Sequence, residues 1–254
     1  MGLYLYLNPY KNTLSLKSLI RAKLYYAWVV LNVVLCTVFY GTVGILGSIF
    51  ERSGKFMGWI VRAWAKSILK CSFIKYKVSG EENLKSGSHY FFAANHESEF
   101  DIPLVFAGIK HQTVIISKIE LKNIPFLGWA MRAAGHIFVD RKNHSRALES
   151  MKKAKESMSE NPRSVIIFPE GTRSKDGHIL PFKKGGLVLA MNLDMNIVPM
   201  GIVGTRNLVK NKSIFRDSTL HLRIGKPVKT SLFSYEDRNF LASKIRDEVV
   251  RLVK

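Results

Sequence analysis

One long uncharged segment limits the possible folds of this chain more than any other feature. No residue from Leu24 to Phe50 carries a charged side chain, whereas Lys23 precedes the segment and Glu51 follows it. An α-helix needs about 20 apolar residues to cross the hydrocarbon core of a bilayer. A cleaved signal peptide has a shorter apolar core of about 7–15 residues. The segment is therefore predicted to be a membrane anchor that stays in the protein.

The sequence pattern fits more than one arrangement of this anchor in the membrane. Gly41, Gly44 and Gly47 are expected to loosen its second half, and basic residues flank both ends, so the charge asymmetry that orients membrane proteins is weak. A spanning helix and a half-embedded helical hairpin both fit. The amphipathic pattern from Trp59 to Lys70 fits a helix at the headgroup surface, and it also fits a helix packed on a soluble core.

Length and charge limit the rest of the molecule. The chain has 254 residues, enough for one α/β domain with a full core besides the anchor. Its 39 Lys and Arg residues outnumber 19 Asp and Glu residues, which gives a formal charge of +20. This charge predicts attraction to an anionic partner, such as nucleic acid, anionic lipid or an acidic carrier protein. Cys36 and Cys71 do not form a disulfide framework.

Beyond residue 75, short apolar runs alternate with helical patterns, which is typical of α/β layers. Apolar residues recur at helical spacing between Ala147 and Met158, and Ser234 with Asp237 forms a possible capping box before the last helix. We predict an α/β fold with a mixed, largely parallel sheet of about seven strands flanked by helices. The predicted strands are Lys75–Val78, Tyr90–Ala94, Val114–Ser117, His136–Val139, Val165–Phe168, Ile197–Val203 and Leu220–Ile224.

A histidine and an aspartate follow the second of these strands. Residues five apart do not share a face of one helix, so His96 and Asp101 could not cooperate within a continuous helix. Pro103 is tolerated in the first helical turn, so the helix is predicted to begin near Asp101, with His96 on the preceding turn. Asp101 could then fix the imidazole tautomer and leave the other ring nitrogen to take a proton from an alcohol. The alternative is that Asp101 only caps the helix.

A second group of polar residues follows the strand at Val165–Phe168. The chain passes directly into Glu170, Gly171, Thr172 and Arg173. Arginine binds phosphate in a bidentate manner, and glycine lets a ligand approach the backbone. The alternative is a surface turn with an internal pair between the glutamate and the arginine.

A third strand end repeats this arrangement, because the strand at His136–Val139 leads into Asp140 and Arg141. Taken alone, these two residues would form a loop ion pair of little energetic value. Charged residues at the ends of several neighbouring strands, however, mark the place where α/β sheets bind ligands.

Together these motifs resemble those of the glycerolipid acyltransferase family, specifically its bacterial 1-acyl-sn-glycerol-3-phosphate acyltransferases. Four motifs stand in the family order and extend over nearly the whole chain after the anchor. Each motif is modest alone, but their order and spacing together are specific. They are Asn95-His96 with Asp101, Gly135-x-Ile137-Phe138-Val139-Asp140-Arg141, Phe168-Pro169-Glu170-Gly171-Thr172-Arg173-Ser174, and Ile197-Val198-Pro199-Met200.

The resemblance implies roles for individual residues. His96 would be the general base on the acceptor hydroxyl and Asp101 its orienting partner, while the hydroxyl attacks the acyl thioester directly. Val198 and Pro199 are similar to family residues that position the acyl donor or the acceptor. The residues that the resemblance assigns to the acceptor phosphate are Lys118, Arg141, Glu170, Gly171, Thr172 and Arg173.

The resemblance also implies partners and a location. The acceptor would be lysophosphatidate in the membrane, and the donor substrate would be acyl-CoA or acyl carrier protein, with no metal and no cofactor. Residues 1–70 would form the membrane anchor and interfacial amphipathic helix, and residues 71–254 the catalytic domain. The expected place is a bacterial inner membrane, with the catalytic domain on the cytoplasmic face.

Other functions fit part of this pattern. The acceptor could be glycerol 3-phosphate, a lysophospholipid with a larger headgroup or a lyso-ornithine lipid, but the anchor favours lysophosphatidate because an acceptor with one acyl chain resides in the membrane. A nucleic-acid-binding protein fits the charge, yet the sequence contains no recognition module for nucleic acid, and none is expected as a partner. A non-catalytic relative would not need all four motifs chemically intact.

Two departures from the family pattern carry expectations of their own. Glu97 and Glu99 stand where the family usually has neutral residues. A carboxylate inside the site would repel phosphate, so both side chains are expected to point outwards. The fourth motif has Met200 where valine is commoner, which weakens any prediction about acyl selectivity.

Overall fold

The computed structural model describes residues 16–51, 54–174, 176–210 and 219–254. Residues 1–15 of the predicted anchor region lie outside the described residues. The helices are α1 (Leu16–Phe50), α2 (Lys55–Cys71), α3 (Asp101–Gly108), α4 (Leu127–Ala133), α5 (His144–Glu160), α6 (Lys184–Asn192), α7 (Thr205–Lys210) and α8 (Arg238–Val253). The strands are β1 (Tyr76–Ser79), β2 (Phe91–Ala94), β3 (Thr113–Lys118), β4 (Ile137–Val139), β5 (Ser164–Ile167), β6 (Ile197–Val203) and β7 (Leu220–Ile224).

The seven strands form one sheet in the order β1-β7-β6-β2-β5-β3-β4. Neighbouring strands are parallel except for the antiparallel pair β6 and β7. The predicted mixed, largely parallel sheet of about seven strands is therefore confirmed. Each predicted strand is present within one residue of its expected bounds. The capping box of Ser234 and Asp237 also forms, in the 3₁₀ turn directly before α8.

The central strands are apolar on both faces because helices cover both sides of the sheet. In β2, Phe92 and Ala94 belong to one core cluster, whereas Phe91 and Ala93 belong to the other. The first cluster lies beneath α2 and α3, and the second lies beneath α5, α6 and α8. Full burial of each phenylalanine contributes about 1.5–3 kcal/mol. These two layers hold the carboxyl end of β2 in a fixed position.

Helices α1 and α2 form an antiparallel hairpin. Near its start, α1 uses Trp28 Nε1 to donate a hydrogen bond of 2.8 Å to the carbonyl of Cys71 at the end of α2. Further along, Asn32 Nδ2 donates to Ser72 Oγ at 2.8 Å, and the hydroxyls of Tyr40 and Ser67 lie 2.7 Å apart. Polar side chains thus hold the apolar helix α1 and the amphipathic helix α2 in register.

The three glycines of α1 do not loosen it, in contrast to the expectation from sequence. Helix α1 is continuous through Phe50, and each glycine is a point of close contact. A Cβ atom on Gly44 would lie 3.0 Å from Met57 Sδ, one on Gly47 would overlap the ring of Phe56, and one on Gly41 would lie 3.4 Å from the Cβ atom of Ala130. Small residues let helices approach closely, and this packing outweighs the low helix propensity of glycine.

Helix α2 has two different faces. Ala65 and Leu69 are buried in the core of the α/β layers, whereas Trp59 is 58% exposed.

Within the described residues, one helical segment, Ile20–Phe50, is long and apolar enough to cross a membrane. Because α2 joins this segment to the sheet, α1 runs along the domain instead of projecting away from it. The apolar side chains that α1 exposes include Leu31, Val34, Leu35, Phe39, Leu46 and Ile49.

Candidate active site

The candidate site lies where four neighbouring parallel strands end. Strands β2, β5, β3 and β4 are successive neighbours, so their carboxyl ends share one edge of the sheet. His96 follows β2, Glu170 follows β5, Lys118 is the last residue of β3 and Arg141 follows β4. Adjacent strands are about 4.8 Å apart, so β2 and β4 are separated by roughly 14 Å. Long side chains must therefore bridge the edge.

The loop from β2 to α3 brings His96 onto Asp101. Helix α3 begins at Asp101, as Pro103 predicts. Asp101 Oδ2 lies 2.7 Å from His96 Nδ1, and it also accepts hydrogen bonds from the backbone N–H groups of Glu97 and Ser98, at 2.7 and 2.9 Å. With Nδ1 as the donor to this carboxylate, Nε2 carries the lone pair and can accept a proton. The imidazole side chain is 17% exposed, so a substrate can reach it.

Asp101 is completely buried. A buried carboxylate is costly unless hydrogen bonds compensate for the lost hydration, and here three donors converge on Oδ2. The aspartate also stands in the first turn of α3, where the helix dipole favours a negative charge. Asp101 therefore does more than cap a helix, because it fixes the direction of the His96 ring.

Phe168 supports the same imidazole from one face. The rings of His96 and Phe168 are stacked, with 4.2 Å between their centroids and 21° between their planes. Phe168 directly follows β5 and is almost buried. Stacking and the aspartate together leave the imidazole little rotational freedom.

Glu170 links the third motif to the first. Its Oε1 atom accepts a hydrogen bond of 2.7 Å from the backbone N–H of His96, and Oε2 accepts one of 2.8 Å from the N–H of Leu180. The residue is 2% exposed. Burial raises the pKa of the Glu170 carboxyl above its usual range, while the bonds from Leu180 and His96 act in the opposite direction. Both carboxylate oxygens are thus engaged with main-chain donors.

Arg141 reaches across the sheet edge to the turn after β5. Its Nη1 atom donates a hydrogen bond of 2.6 Å to the carbonyl of Gly171. Gly171 has a φ of 73°, a left-handed conformation that favours glycine. Desolvation by neighbouring protein atoms lowers the pKa of Arg141, and nearby Glu120 opposes this effect. Arginine stays protonated near neutral pH regardless.

Arg173 forms an ion pair with Glu99 on the histidine loop. The glutamate side chain is 67% exposed, but its carboxylate contacts the guanidinium of a predicted phosphate ligand, in contrast to the expectation that it would point away from the site. The other expected outward residue, Glu97, is partly buried. The internal pair between Glu170 and Arg173, considered as an alternative, is not formed, since Glu170 is bound to backbone groups instead.

The remaining predicted residues lie in two different settings. Lys118 and Thr172 are exposed at the sheet edge. Val198 and Pro199 are buried in β6, where they lie opposite Phe92 and Ala93 of β2. They support the strand that leads to His96.

Sequence patterns assigned no role to three residues at the site. Asn95 is buried and its side-chain amide bonds both backbone groups of Ile202, at 2.8 and 3.0 Å, so it ties the end of β2 to β6. Phe168 stacks on the imidazole. Lys183 lies beside Gly171 and adds a further cation to this edge. The position of Phe168 directly after a buried strand and before the charged turn was a signal that could have identified it.

The arrangement combines an oriented histidine base with several cations at one sheet edge. Such a site can deprotonate the hydroxyl of a substrate whose anionic group is held nearby. Within the ranges that the structure describes, no group of three or more His, Cys, Asp or Glu side chains could hold a metal ion.

Comparisons with known proteins define the class first. Residues 75–203, about half of the chain and including the histidine loop and the turn after β5, match the family model described as Acyltransferase. The fold and the site are thus those of an acyltransferase.

Individual relatives narrow the class to one family. The chain is 35% identical over 244 residues to the 1-acyl-sn-glycerol-3-phosphate acyltransferase of Saccharomyces cerevisiae, covering 93% of this chain and 80% of that protein. The Borreliella burgdorferi protein of the same name is 32% identical, with 76% of this chain and 77% of that protein covered. The crystal structure of the 1-acyl-sn-glycerophosphate (LPA) acyltransferase PlsC from Thermotoga maritima matches with a TM-score of 0.78, 29% identity, and 92% and 95% of the two chains covered. The chain belongs to the 1-acyl-sn-glycerol-3-phosphate acyltransferase family.

Proposed function

We propose that the protein transfers a fatty acyl group to the sn-2 hydroxyl of 1-acyl-sn-glycerol 3-phosphate, giving phosphatidate, with acyl-CoA or acyl carrier protein as the donor. The single observation that carries the mechanism is the contact of 2.7 Å between His96 Nδ1 and the buried Asp101 carboxylate. Family membership supports the acceptor, because the named relatives act on 1-acyl-sn-glycerol 3-phosphate by their names.

The proposed step is a direct displacement. The acceptor hydroxyl oxygen bonds to the thioester carbonyl carbon while His96 Nε2 takes the hydroxyl proton. The carbon–sulfur bond then breaks, and the imidazolium returns the proton to the leaving thiolate. Asp101 stabilises the imidazolium that forms between these events. A general base of this kind supplies about 10²–10⁴-fold in rate.

The cations at the sheet edge are proposed to hold the acceptor phosphate. Arg141 contacts the carbonyl of Gly171, Arg173 follows in the same turn, and Lys118 lies at the end of β3, the strand between β5 and β4. A fixed phosphate raises the effective concentration of the free hydroxyl near His96. Glu170 supports this region indirectly, through its bonds to the main chain.

The proposed location rests on the membrane anchor and on the compartment in which the acyl donors are present. Helix α1 associates the domain with a membrane through its exposed apolar face. We propose that the catalytic domain faces the cytoplasm at a bacterial inner membrane, where acyl-CoA and acyl carrier protein are present. Protease added to intact right-side-out spheroplasts should leave the domain uncut, and cleavage there would contradict the cytoplasmic placement.

The test is a thiol-release assay with purified protein in mixed micelles. Acyl-CoA and acyl carrier protein serve as donors, and lysophosphatidate, glycerol 3-phosphate and lysophosphatidylethanolamine serve as acceptors. We expect release with lysophosphatidate and loss of nearly all release in His96→Ala, whose thermal unfolding should match the wild type. Equal turnover by this variant would show that His96 is not the general base. Faster release with another acceptor would show that lysophosphatidate is not the preferred substrate.

A further inference from the structure

The ion pair between Glu99 and Arg173 connects two parts of the site. Glu99 lies on the histidine loop, two residues before Asp101, and Arg173 lies on the turn after β5. Both side chains are partly open to solvent, with 67% of the glutamate and 48% of the arginine exposed. The guanidinium that the proposed function assigns to the acceptor phosphate is thus bound to a carboxylate of the protein itself.

The pair is not needed to hold the loop and the turn together. The backbone N–H of Ser174 donates a hydrogen bond of 2.8 Å to the carbonyl of His96, and Glu170 accepts one of 2.7 Å from the N–H of His96. These two bonds join the same two segments through buried groups. Loss of the Glu99 carboxylate should therefore leave the position of the His96 main chain unchanged.

We propose that Glu99 is an internal competitor for the acceptor phosphate. Its carboxylate pairs with the Arg173 guanidinium and must leave it when the acceptor phosphate binds there. A phosphate monoester carries about −1.5 to −2 charges near neutral pH and has three acceptor oxygens, so it can displace a carboxylate of unit charge. This inference rests on the proposed function, because it takes Arg173 as a ligand of the acceptor phosphate.

The same competition acts on the product. Phosphatidate retains the phosphate monoester. The return of Glu99 to Arg173 therefore weakens the binding of the product and the binding of the acceptor by the same factor. Exposed ion pairs correspond to about a twofold to fivefold change in an equilibrium constant. The acceptor KM and the inhibition constant of phosphatidate are thus both set about twofold to fivefold higher than in a site without Glu99.

The experiment compares Glu99→Gln, Arg173→Ala and the double variant in mixed micelles. In Glu99→Gln, the acceptor KM and the phosphatidate inhibition constant should both fall about twofold to fivefold, with an unchanged single-turnover rate. The substitution should have no effect in the Arg173→Ala background, because the competition needs the guanidinium. Glu149→Gln is the matched control, since it removes another exposed ion pair, to Lys153 at 2.6 Å on helix α5, and should change none of these values.

A second readout does not depend on activity. Phenylglyoxal modifies free guanidinium groups, so Arg173 should react about twofold to fivefold faster in Glu99→Gln than in the wild type, as measured by mass spectrometry of its peptide. Arg251, which pairs with Glu248 at 2.7 Å, is the internal reference. If the wild type transfers no acyl group to lysophosphatidate, the proposed function fails and the competitor role fails with it, and a faster reaction of Arg173 then shows only that Glu99 covers the guanidinium. An acceptor KM that does not fall in an active enzyme, or an Arg173 reactivity that does not rise, overturns the competitor role.

Discussion

The carboxylate of Glu170 accepts a hydrogen bond of 2.7 Å from the backbone N–H of His96. The acid of the third motif therefore holds the main chain of the proposed base, and its second oxygen holds the N–H of Leu180. The carboxylate itself is buried, so these bonds contribute more than equivalent bonds of an exposed carboxylate. This arrangement predicts a positioning role for Glu170.

Glu170→Gln tests this role. A glutamine amide can accept a bond from one N–H group but leaves the other facing an NH₂ group, which costs about 1–3 kcal/mol. We expect the free energy of unfolding in urea to fall by this amount, and kcat to fall about tenfold or more because the His96 main chain shifts. A rise in the acceptor KM alone, with normal kcat and stability, would show that Glu170 contacts the phosphate instead.

Asp101→Asn tests the role of the aspartate charge. The asparagine can keep an oxygen acceptor for His96 Nδ1 and for the N–H groups of Glu97 and Ser98, but it loses the negative charge that stabilises the imidazolium. We expect kcat to fall about 10²–10⁴-fold, with an acceptor KM within about threefold of the wild type. Single-turnover thiol release measures this change. Retained kcat would show that the aspartate acts only at the start of α3.

The pH dependence of stability should report on His136. Burial, with a further contribution from Arg163, lowers the pKa of its imidazole to about 4. The geometry agrees, since His136 Nδ1 accepts a hydrogen bond of 3.4 Å from the N–H of Ile115 and must be unprotonated to do so. Because the unfolded chain binds the proton near pH 6.5, stability is full above this pH and is lost as the pH falls from about 6.5 to 4.

Urea unfolding at several pH values in this window measures that effect. His136→Gln removes the titrating group and keeps an acceptor for Ile115, so its stability should depend less on pH. His89→Gln is a control at another histidine. An identical pH dependence in His136→Gln and the wild type would contradict the assignment.

The helical hairpin makes a prediction about the anchor. Gly47→Ala would raise helix propensity by about 1 kcal/mol in an isolated helix, but its Cβ atom would overlap the ring of Phe56. We expect the clash to prevail and the melting temperature in detergent to fall. Gly185→Ala is the control, because no atom lies within 4 Å of its added Cβ atom. A higher melting temperature for Gly47→Ala would show that α1 and α2 are not packed in this way.

Local sequence patterns were sufficient to predict the strands and the contact between His96 and Asp101. The strands were predictable because burial on both faces requires short apolar runs, as in β2 and β5. The start of α3 at Asp101 followed from the restriction that Pro103 places on a helix, and it put His96 and Asp101 in reach of each other. Each of these inferences depends on residues that are close in sequence.

Contacts between distant residues were decided by the tertiary structure. Glycines in α1 read as weak points of a helix, yet they are contact points, because the partner helix α2 supplies the packing energy. The ion pair of Glu99 with Arg173 joins residues that sequence patterns treat separately. Glu170 binds main-chain N–H groups, which have no sequence signature. Residue types and order thus determined the family and the contact between His96 and Asp101, whereas the packing of sheet and helices decided which groups the other side chains meet.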